Sequence, residues 1–331
     1  MEIRYGSDQH GLICGFLFAP GAVGVPLGLD AALEWLRDEA AEGFVWLHFN
    51  LADASAERWI GQNLPVVPEF FEALSQGSRS TRIEDAQASL VAVLNDVAYE
   101  FSFDPSQIET LWLDVGPRVA VSARRHALRS IDRLRQDVKD GARFASSVTF
   151  LNHLMHDQGD VLVRIVRDAT QQVDGIEDSL LTGRMKHKRT DLGKLRRVLV
   201  RLQRLLAPEP GALFRLLRQP PPWCAASDLE ELRQATEEFS LVIRDMVALQ
   251  ERIKLLQEEI AAQVGEQTNR SVFTLTVVTV LALPINIVAG LFGMNVGGIP
   301  LNDHKHGFLV IVAFIIFFTV VAGWLAFRRK D

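Results

Sequence analysis

Cysteine is nearly absent from this chain, which has two among 331 residues, Cys14 and Cys224. They lie far apart and form no Cys-x-x-Cys pair, which argues against a structural disulfide and against a cysteine metal site. We interpret both thiols as small core residues. Excess positive charge is also missing, because the formal net charge is −6. This charge argues against a general nucleic-acid binder, and it is compatible with attracting cations.

The common catalytic signatures are missing as well. The sequence contains no GxxxxGK[ST] phosphate loop, no dinucleotide fingerprint, no nucleophile elbow and no zincin helix. Isolated acids such as Glu84 and Asp85 are ordinary surface residues, so we expect no enzyme. Charged residues make up 23% of the chain and the mean hydropathy is only +0.11. Most of the chain is therefore expected to lie in water, around a small membrane anchor.

Two 21-residue stretches, Val272 to Phe292 and Gly307 to Phe327, contain no ionisable side chain. As helices each would span about 31 Å, which matches the hydrocarbon core of a bilayer. They predict two membrane spans, over residues 271–292 and 307–327, and the alternative is a buried soluble hairpin. A third uncharged run, Gly11 to Leu29, contains five glycines and two prolines. These residues oppose a helix, so we expect a strand at Leu12 to Phe18 instead.

The positive charges next to the spans predict their orientation. Arg328, Arg329 and Lys330 form a basic tail, residues 328–331, directly after the second span, whereas the connecting loop 293–306 has only Lys305. Positive residues favour the cytoplasmic side. We therefore expect both termini in the cytoplasm, the loop outside and the chain in the inner membrane.

Residues 1–145 are expected to form a cytoplasmic α/β domain, because short β-branched and aromatic runs alternate with helical apolar spacing. The predicted strands are Phe44 to Phe49, Leu90 to Leu94, Ile108 to Leu113 and Val119 to Ser122, and the predicted helices are Leu29 to Ala41, Ser55 to Gln62 and Leu128 to Val138. Residues 146–224 predict a helical hairpin that breaks near Thr182 and Gly183.

A long stalk helix is predicted over residues 225–270, starting at a capping box formed by Ser227 and Glu230. No proline interrupts it before Pro284, so the helix can continue into the first span and reach about 98 Å. Its apolar residues alternate in steps of three and four, which favours helix association at a shared axis of an oligomer. This stalk seam is Phe239, Val242, Met246, Leu249, Ile253, Leu256 and Ile260.

The same spacing continued into the first span meets a polar stripe. Its members are Thr276, Thr279, Leu283, Asn286 and Gly290. Because polar side chains facing lipid are costly, we expect this stripe to line a pore inside a helix bundle, although packing between helices is the alternative. One such helix cannot enclose a pathway, so the function would require an oligomer.

Gly293-Met294-Asn295 follows the first span directly. With two terminal spans, a stalk helix and an α/β domain, this motif resembles the CorA superfamily of divalent-cation transporters. The continuation Val296 to Pro300 resembles the ZntB-type zinc transporters, because Leu301 stands where magnesium-type loops usually have an acid. The resemblance implies a funnel-shaped homopentamer in the lipid membrane, in which five Asn295 side chains ring the outer mouth, Gly293 makes a tight turn and Met294 packs behind.

Ligand chemistry and resemblance point to different ions. Amide oxygens suit a hydrated ion such as magnesium, whereas zinc prefers histidine, cysteine and carboxylate ligands, and neither span supplies these. The expected cargo is a divalent cation, with zinc assigned by resemblance and magnesium as the alternative, and no cofactor is expected.

Titratable groups lie at the ends of the predicted pathway. The candidates for proton coupling are Glu266, Asp303, His304 and His306, and the loop histidines are also candidates for recruiting metal. His153 and His156, with Asp157 and Asp160, share one helical side and form a second candidate metal site. Import, export and a membrane-tethered scaffold or sensor all remain open.

Overall fold

A computed structural model describes residues 9–77, 81–181, 188–294 and 305–328. The chain divides into two compact units, Met1–Gln257 and Glu258–Asp331. The helix Ala226–Phe292 is continuous over 67 residues and supplies residues to both units. The predicted stalk and the predicted first span are therefore parts of one helix.

Seven strands form one mixed sheet in the first unit. They are β1 Leu12–Phe18, β2 Val25–Pro26, β3 Phe44–Asn50, β4 Arg82–Asp85, β5 Leu90–Val97, β6 Ile108–Val115 and β7 Val119–Arg124. Their order in the sheet is β2-β1-β3-β7-β6-β5-β4. Neighbouring strands are antiparallel except β3 and β7, which are parallel. This confirms the predicted strands and adds the strand order, which the sequence did not reveal.

Strand β3 shows how the sheet divides the unit into two cores. Phe44 and Trp46 point to one face, whereas Val45 and Leu47 point to the other, as the two-residue period of a strand requires. All four side chains are almost completely buried. The strand therefore lies at the centre of a three-layer arrangement, with helices on both faces.

The helices of the first unit are α1 Leu29–Arg37, α2 Ala56–Asn63, α3 Pro68–Gln76, α4 Arg129–Lys139, α5 Ser147–Leu181, α6 Lys188–Leu206 and α7 Pro208–Arg218, followed by α8 Ala226–Phe292. Helices α1, α2 and α3 cover one face of the sheet through apolar side chains such as Ile60 and Phe70. The other face is covered by α4, α5 and α7, which bury Leu134, Phe150 and Leu213.

Two helices that we did not predict separately each begin with proline. Pro68 and Pro208 stand in the first turn of α3 and α7. Proline is tolerated there because its missing N–H would have no partner in the helix anyway. The two missed strands, β2 and β4, are sheet edges, one only two residues long and the other charged and partly exposed.

The start of α8 differs from the prediction. The helix begins at Ala226, so Ser227 lies inside it and is not the residue that caps its N-terminus. Asp228 makes the contacts at this end instead, since its carboxylate accepts hydrogen bonds from the Ser146 and Thr149 hydroxyls. The Asn152 side chain on α5 also donates to the Asp228 carbonyl at 2.8 Å.

The burial of the stalk seam corrects the prediction that it lies at a shared axis of an oligomer. All seven of its residues, from Phe239 to Ile260, are at most 8% exposed in a single chain. The described contacts of α8 are with other helices of the same chain: Arg252 pairs with Asp174 and Glu177 of α5, and Arg196 of α6 donates to Gln257. The six seam residues of the first unit, Phe239 to Leu256, therefore lie in the core of a single chain and are not available at a shared axis.

Glu209, at the start of α7, is a carboxyl group without any exposure to solvent. Gln158 donates to its Oε2 at 3.4 Å, and its Oε1 makes no hydrogen bond with the described residues. Burial raises its pKa from the ordinary 4.5 to about 8, with nearby Asp96 adding to the shift. Folding therefore holds Glu209 in its protonated form at neutral pH.

A pH dependence of stability follows from this group. Between pH 4.5 and 8 the folded chain binds a proton that the unfolded chain has released, so the free energy of unfolding falls as pH rises, by up to about 1.4 kcal/mol per pH unit. We expect Glu209→Gln to remove this contribution, so that the variant gains stability relative to wild type as pH rises. Thermal unfolding of the full chain in detergent at several pH values measures this difference in stability. Glu230→Gln, which changes an exposed carboxylate, is the control. Parallel pH curves for wild type and Glu209→Gln would contradict the assignment.

Candidate ion pathway and metal cluster

Among the described residues, two helices are long and apolar enough to cross a membrane. Their most apolar windows have mean hydropathies of 2.3 in α8 and 2.6 in Gly307–Trp324, and these windows are 0% and 6% buried. The second helix is α9, Gly307–Arg328. In a buried soluble hairpin the rest of the protein would cover these apolar segments. Their exposure therefore favours the two predicted spans.

The span part of α8 has two different sides. Leu281, Ile285 and Val288 are half-buried, and Val288 lines a cavity together with Phe308 and Ile311 of α9. The predicted pathway residues lie on the other side of the helix, and all are exposed: Thr276, Thr279, Leu283, Asn286 and Gly290. The polar stripe is therefore turned away from the second span of its own chain.

The polar groups on this stripe differ in their hydrogen bonding. Thr276 donates to the Val272 carbonyl at 2.8 Å and Thr279 to the Leu275 carbonyl at 2.9 Å, so both hydroxyl protons bond within the helix. Each hydroxyl oxygen still offers a lone pair outward. The Asn286 amide makes no hydrogen bond with the described residues. Placing this amide in lipid hydrocarbon without a hydrogen bond would cost free energy. We therefore expect it to face water, an ion or another chain.

At the end of α8, Gly293 stands at a hydrogen-bonded turn, and residues 295–304, which follow Met294, lie outside the described residues, so the tight turn expected here stays a prediction. The Gly293 N–H donates to the Ala289 carbonyl at 3.0 Å and its φ is not positive, so it continues the helical hydrogen bonding. Met294 is 48% exposed, so it does not pack behind the motif in a single chain. Asn295, Asp303 and His304 lie outside the described residues.

The two titratable candidates that the structure describes near the spans, Glu266 and His306, are both exposed. Glu266 lies on α8, and His306 lies just before α9, next to Lys305, which is also exposed. Within the described part of the second unit, His, Cys, Asp and Glu side chains form no cluster of three that could hold a metal ion. Thr319, on α9, is half-buried and donates to the Ile315 carbonyl at 2.8 Å. The second span therefore offers no comparable exposed polar stripe.

The first unit contains a compact His–carboxylate cluster. His153 Nε2 lies 3.2 Å from Asp137 Oδ2 and 3.7 Å from Asp157 Oδ2. The possible ligand atoms of these three residues all lie within 4.8 Å of one another. His153 and Asp157 are one helical turn apart on α5, as predicted, whereas Asp137 comes from α4. Nothing in the sequence spacing linked Asp137 to this pair.

The other predicted members of this cluster have different partners. His156 Nδ1 lies 3.4 Å from Glu238 Oε2 on α8, away from His153. Asp160 receives a hydrogen bond of 3.0 Å from Arg133, which also contacts Asp157 Oδ1 at 3.0 Å. The prediction that both histidines act in one site is therefore wrong, because adjacent turns of α5 direct them to different helices.

Asp157 is the buried member of the cluster, and its surroundings disfavour the charged form of its carboxyl group. Its side chain is 6% exposed, and its Oδ2 makes no hydrogen bond with the described residues. Burial raises its pKa to about 6, although His153 and Arg133 act to lower it. A further cation beside Oδ2 would therefore stabilise the charged form of this carboxyl group.

A buried polar network near the middle of the sheet was also missed. Ser122 Oγ lies 2.8 Å from both Trp46 Nε1 and His48 Nδ1, and Arg124 donates to His48 Nε2 at 3.0 Å. Burial and the nearby Arg124 hold the pKa of His48 well below its ordinary value. The neutral imidazole thus joins two central strands, which is a structural role.

The soluble α/β unit, the long helix and the two apolar C-terminal helices together define a class, the two-span ion transport proteins. The chain belongs to the CorA family, since residues 41–329 match the family described as "CorA-like Mg2+ transporter protein". It is therefore a divalent cation transporter and not an enzyme. The predicted resemblance is confirmed at this level.

Individual relatives cover most of the chain. A "Divalent cation transporter CmaX" from Pseudomonas aeruginosa is 27% identical over 99% of both chains. A "Zinc transport protein ZntB" from Pectobacterium atrosepticum is 24% identical over 86% of this chain and 87% of the relative. The solved structure of full-length CmaX has a TM-score of 0.81 and 25% identity, covering 98% of this chain and 99% of that one.

Proposed function

We propose that the chain carries zinc across the inner membrane through a pathway lined by the polar stripe of α8. The observation that carries the proposal is the exposure of Thr276, Thr279 and Asn286 on the side of the span turned away from α9. A span that served only as an anchor for a scaffold or sensor would have no use for an unpaired amide at this position.

A pathway on one face of one helix requires several copies of the chain, and we infer a homopentamer with both termini in the cytoplasm. The stalk seam is buried, so another face of α8 must meet the neighbouring copies. Leu241, Ala248 and Leu255 are exposed and repeat every seven residues in the first unit. An exposed apolar stripe with this period suits contact between copies of the same helix.

Gly293-Met294-Asn295 is proposed as the outer mouth, where five Asn295 side chains would face the ion. Amide oxygens can hold the water shell of a divalent cation without stripping it. The spans contain no imidazole, thiolate or carboxylate that would bind zinc tightly. A mostly hydrated ion is therefore the form that this pathway suits.

The choice of zinc rests on similarity. ZntB zinc transport proteins are among the relatives, and the loop from Val296 to Pro300 is followed by Leu301 in place of an acid. Inward movement of two charges through 100 mV releases about 4.6 kcal/mol, so uptake needs only a gated pathway, whereas efflux needs coupling. Proton coupling would use groups at the ends of the pathway, with His304 and His306 at the outer end.

The proposal predicts zinc flux that responds to a proton gradient. In vesicles containing the purified chain, an imposed pH difference should change the initial rate of zinc movement. Joint replacement of His304 and His306 by alanine should flatten the dependence of zinc flux on outer pH, because the variant has no imidazole left at the outer end to exchange protons. His126→Ala, which alters an exposed histidine paired with Glu109 in the first unit, is the matched control.

The second candidate is a passive magnesium channel, favoured by the neutral oxygen groups of the stripe and by the family description. Magnesium passing faster than zinc, at a rate indifferent to the pH gradient, would select this candidate and overturn the zinc proposal. Absence of any divalent flux would leave the scaffold or sensor.

A further inference from the structure

We propose that Asp137, His153 and Asp157 bind one zinc ion per chain, at a site separate from the transport pathway. All three residues belong to the first unit, so the site needs no second copy of the chain. The proposal concerns binding alone and does not depend on which ion crosses the membrane.

The spacing of the ligand atoms suits the ion. Ligands bound tetrahedrally to zinc at 2.0–2.2 Å lie about 3.3 Å from one another. The distances from His153 Nε2 to the Asp137 and Asp157 oxygens are 3.2 and 3.7 Å, and no pair of ligand atoms is farther apart than 4.8 Å. Imidazole nitrogen and carboxylate oxygen are both ligand types that zinc accepts, and three protein ligands leave the fourth position of a tetrahedral site for water.

Asp157 supplies an independent indication that a cation belongs here. Asp157 as a whole is 4% exposed. Its Oδ2 lies beside His153 Nε2 and makes no hydrogen bond with the described residues. Its other oxygen is already bound by Arg133 at 3.0 Å. A zinc ion would satisfy the free oxygen, whereas Arg133 would keep the carboxylate aimed at the ion as an outer partner.

The surroundings favour a cation and allow it to enter. Arg133 pairs with Asp157 and Asp160, and Asp137 adds a third carboxylate beside His153. Asp137 and His153 have side chains 36% and 37% exposed, so both ligands reach solvent. His153 also lines a cavity between α5 and α8 whose other walls include Glu231 and Glu238. These acids would raise the local concentration of divalent ions.

Zinc binding to the purified full-length chain in detergent tests the proposal. Equilibrium dialysis with metal analysis should show one zinc per chain fewer in His153→Gln than in wild type. Asp137→Asn, at a half-exposed position, should weaken the same binding at least about tenfold, which keeps the test valid if one variant folds poorly. Cobalt should give the intense visible absorption of a tetrahedral site in wild type and lose it in both variants.

His156→Gln is the matched control, because His156 lies one turn away on the same helix and contacts Glu238 instead. It should keep the full amount of zinc and the cobalt spectrum. Equal zinc binding by wild type and His153→Gln, or an equal loss in His156→Gln, would overturn the site. Zinc flux measured on the same proteins separates this outcome from failure of the transport proposal, since His153→Gln should retain flux.

Discussion

Replacing Asn295 with alanine is expected to reduce metal flux to the level of empty vesicles while the oligomer still assembles. The substitution would remove one amide oxygen from each copy at the proposed outer mouth and would change little packing. Without these oxygens the ion must lose favourable contacts to its water shell at the narrow entrance. Flux of zinc and of magnesium in reconstituted vesicles measures the effect, and the mass of the detergent complex measures assembly.

Asn302→Ala is the matched control, because Asn302 is the other asparagine of the same loop and lies outside the Gly-Met-Asn motif. It should retain at least about half of the wild-type rate, since loop substitutions away from a binding group have small effects. Wild-type flux through Asn295→Ala would refute the assignment of the outer mouth. Equal loss in both variants would show that the loop as a whole is needed, without a special role for Asn295.

Replacing Ile253 with aspartate is expected to unfold the first unit. Ile253 is 0% exposed in a single chain, so the change removes a large apolar side chain and buries an unpaired charge. The free energy of unfolding should fall by about 3 kcal/mol or more. Thermal unfolding of the full chain in detergent, followed by circular dichroism, measures the loss.

Leu255→Asp is the matched control on the same helix, where the side chain is 63% exposed. The first unit should keep its thermal stability, because the new carboxylate lies in water when the chain is alone. The oligomer should dissociate, because Leu255 belongs to the stripe proposed for contact between copies. An unchanged complex mass in Leu255→Asp would refute that stripe. A folded but dissociated Ile253→Asp chain would instead restore the seam as the contact between copies.

The seam shows why burial could not be predicted from spacing. Apolar residues at steps of three and four predict that one side of a helix is covered, but they do not say by which chain. Met246 and Ile253 are covered by helices from their own chain, whereas Leu241 and Leu255 stay exposed. The difference depends on where α5 and α6 lie, which is a tertiary property.

In the candidate metal cluster, too, one part could be predicted from the sequence and another part could not. His153 and Asp157 could be paired from the sequence, because residues four apart on a helix are neighbours. Asp137 could not, since it lies on α4 and reaches His153 only through helix packing. His156 was assigned to the same cluster on spacing alone, and its contact with Glu238 of α8 corrects this.

The two apolar helices, the central strands and the long helix could be predicted from the sequence, because length, absence of charge and residue period act locally. The family also followed from local residues, through Gly293, Met294 and Asn295 placed between the spans. The strand order, the burial of Glu209 and the contact between Asp137 and His153 became known from the three-dimensional structure. These features join residues far apart in the chain, and the packing of whole layers, rather than any local preference, brings such residues together.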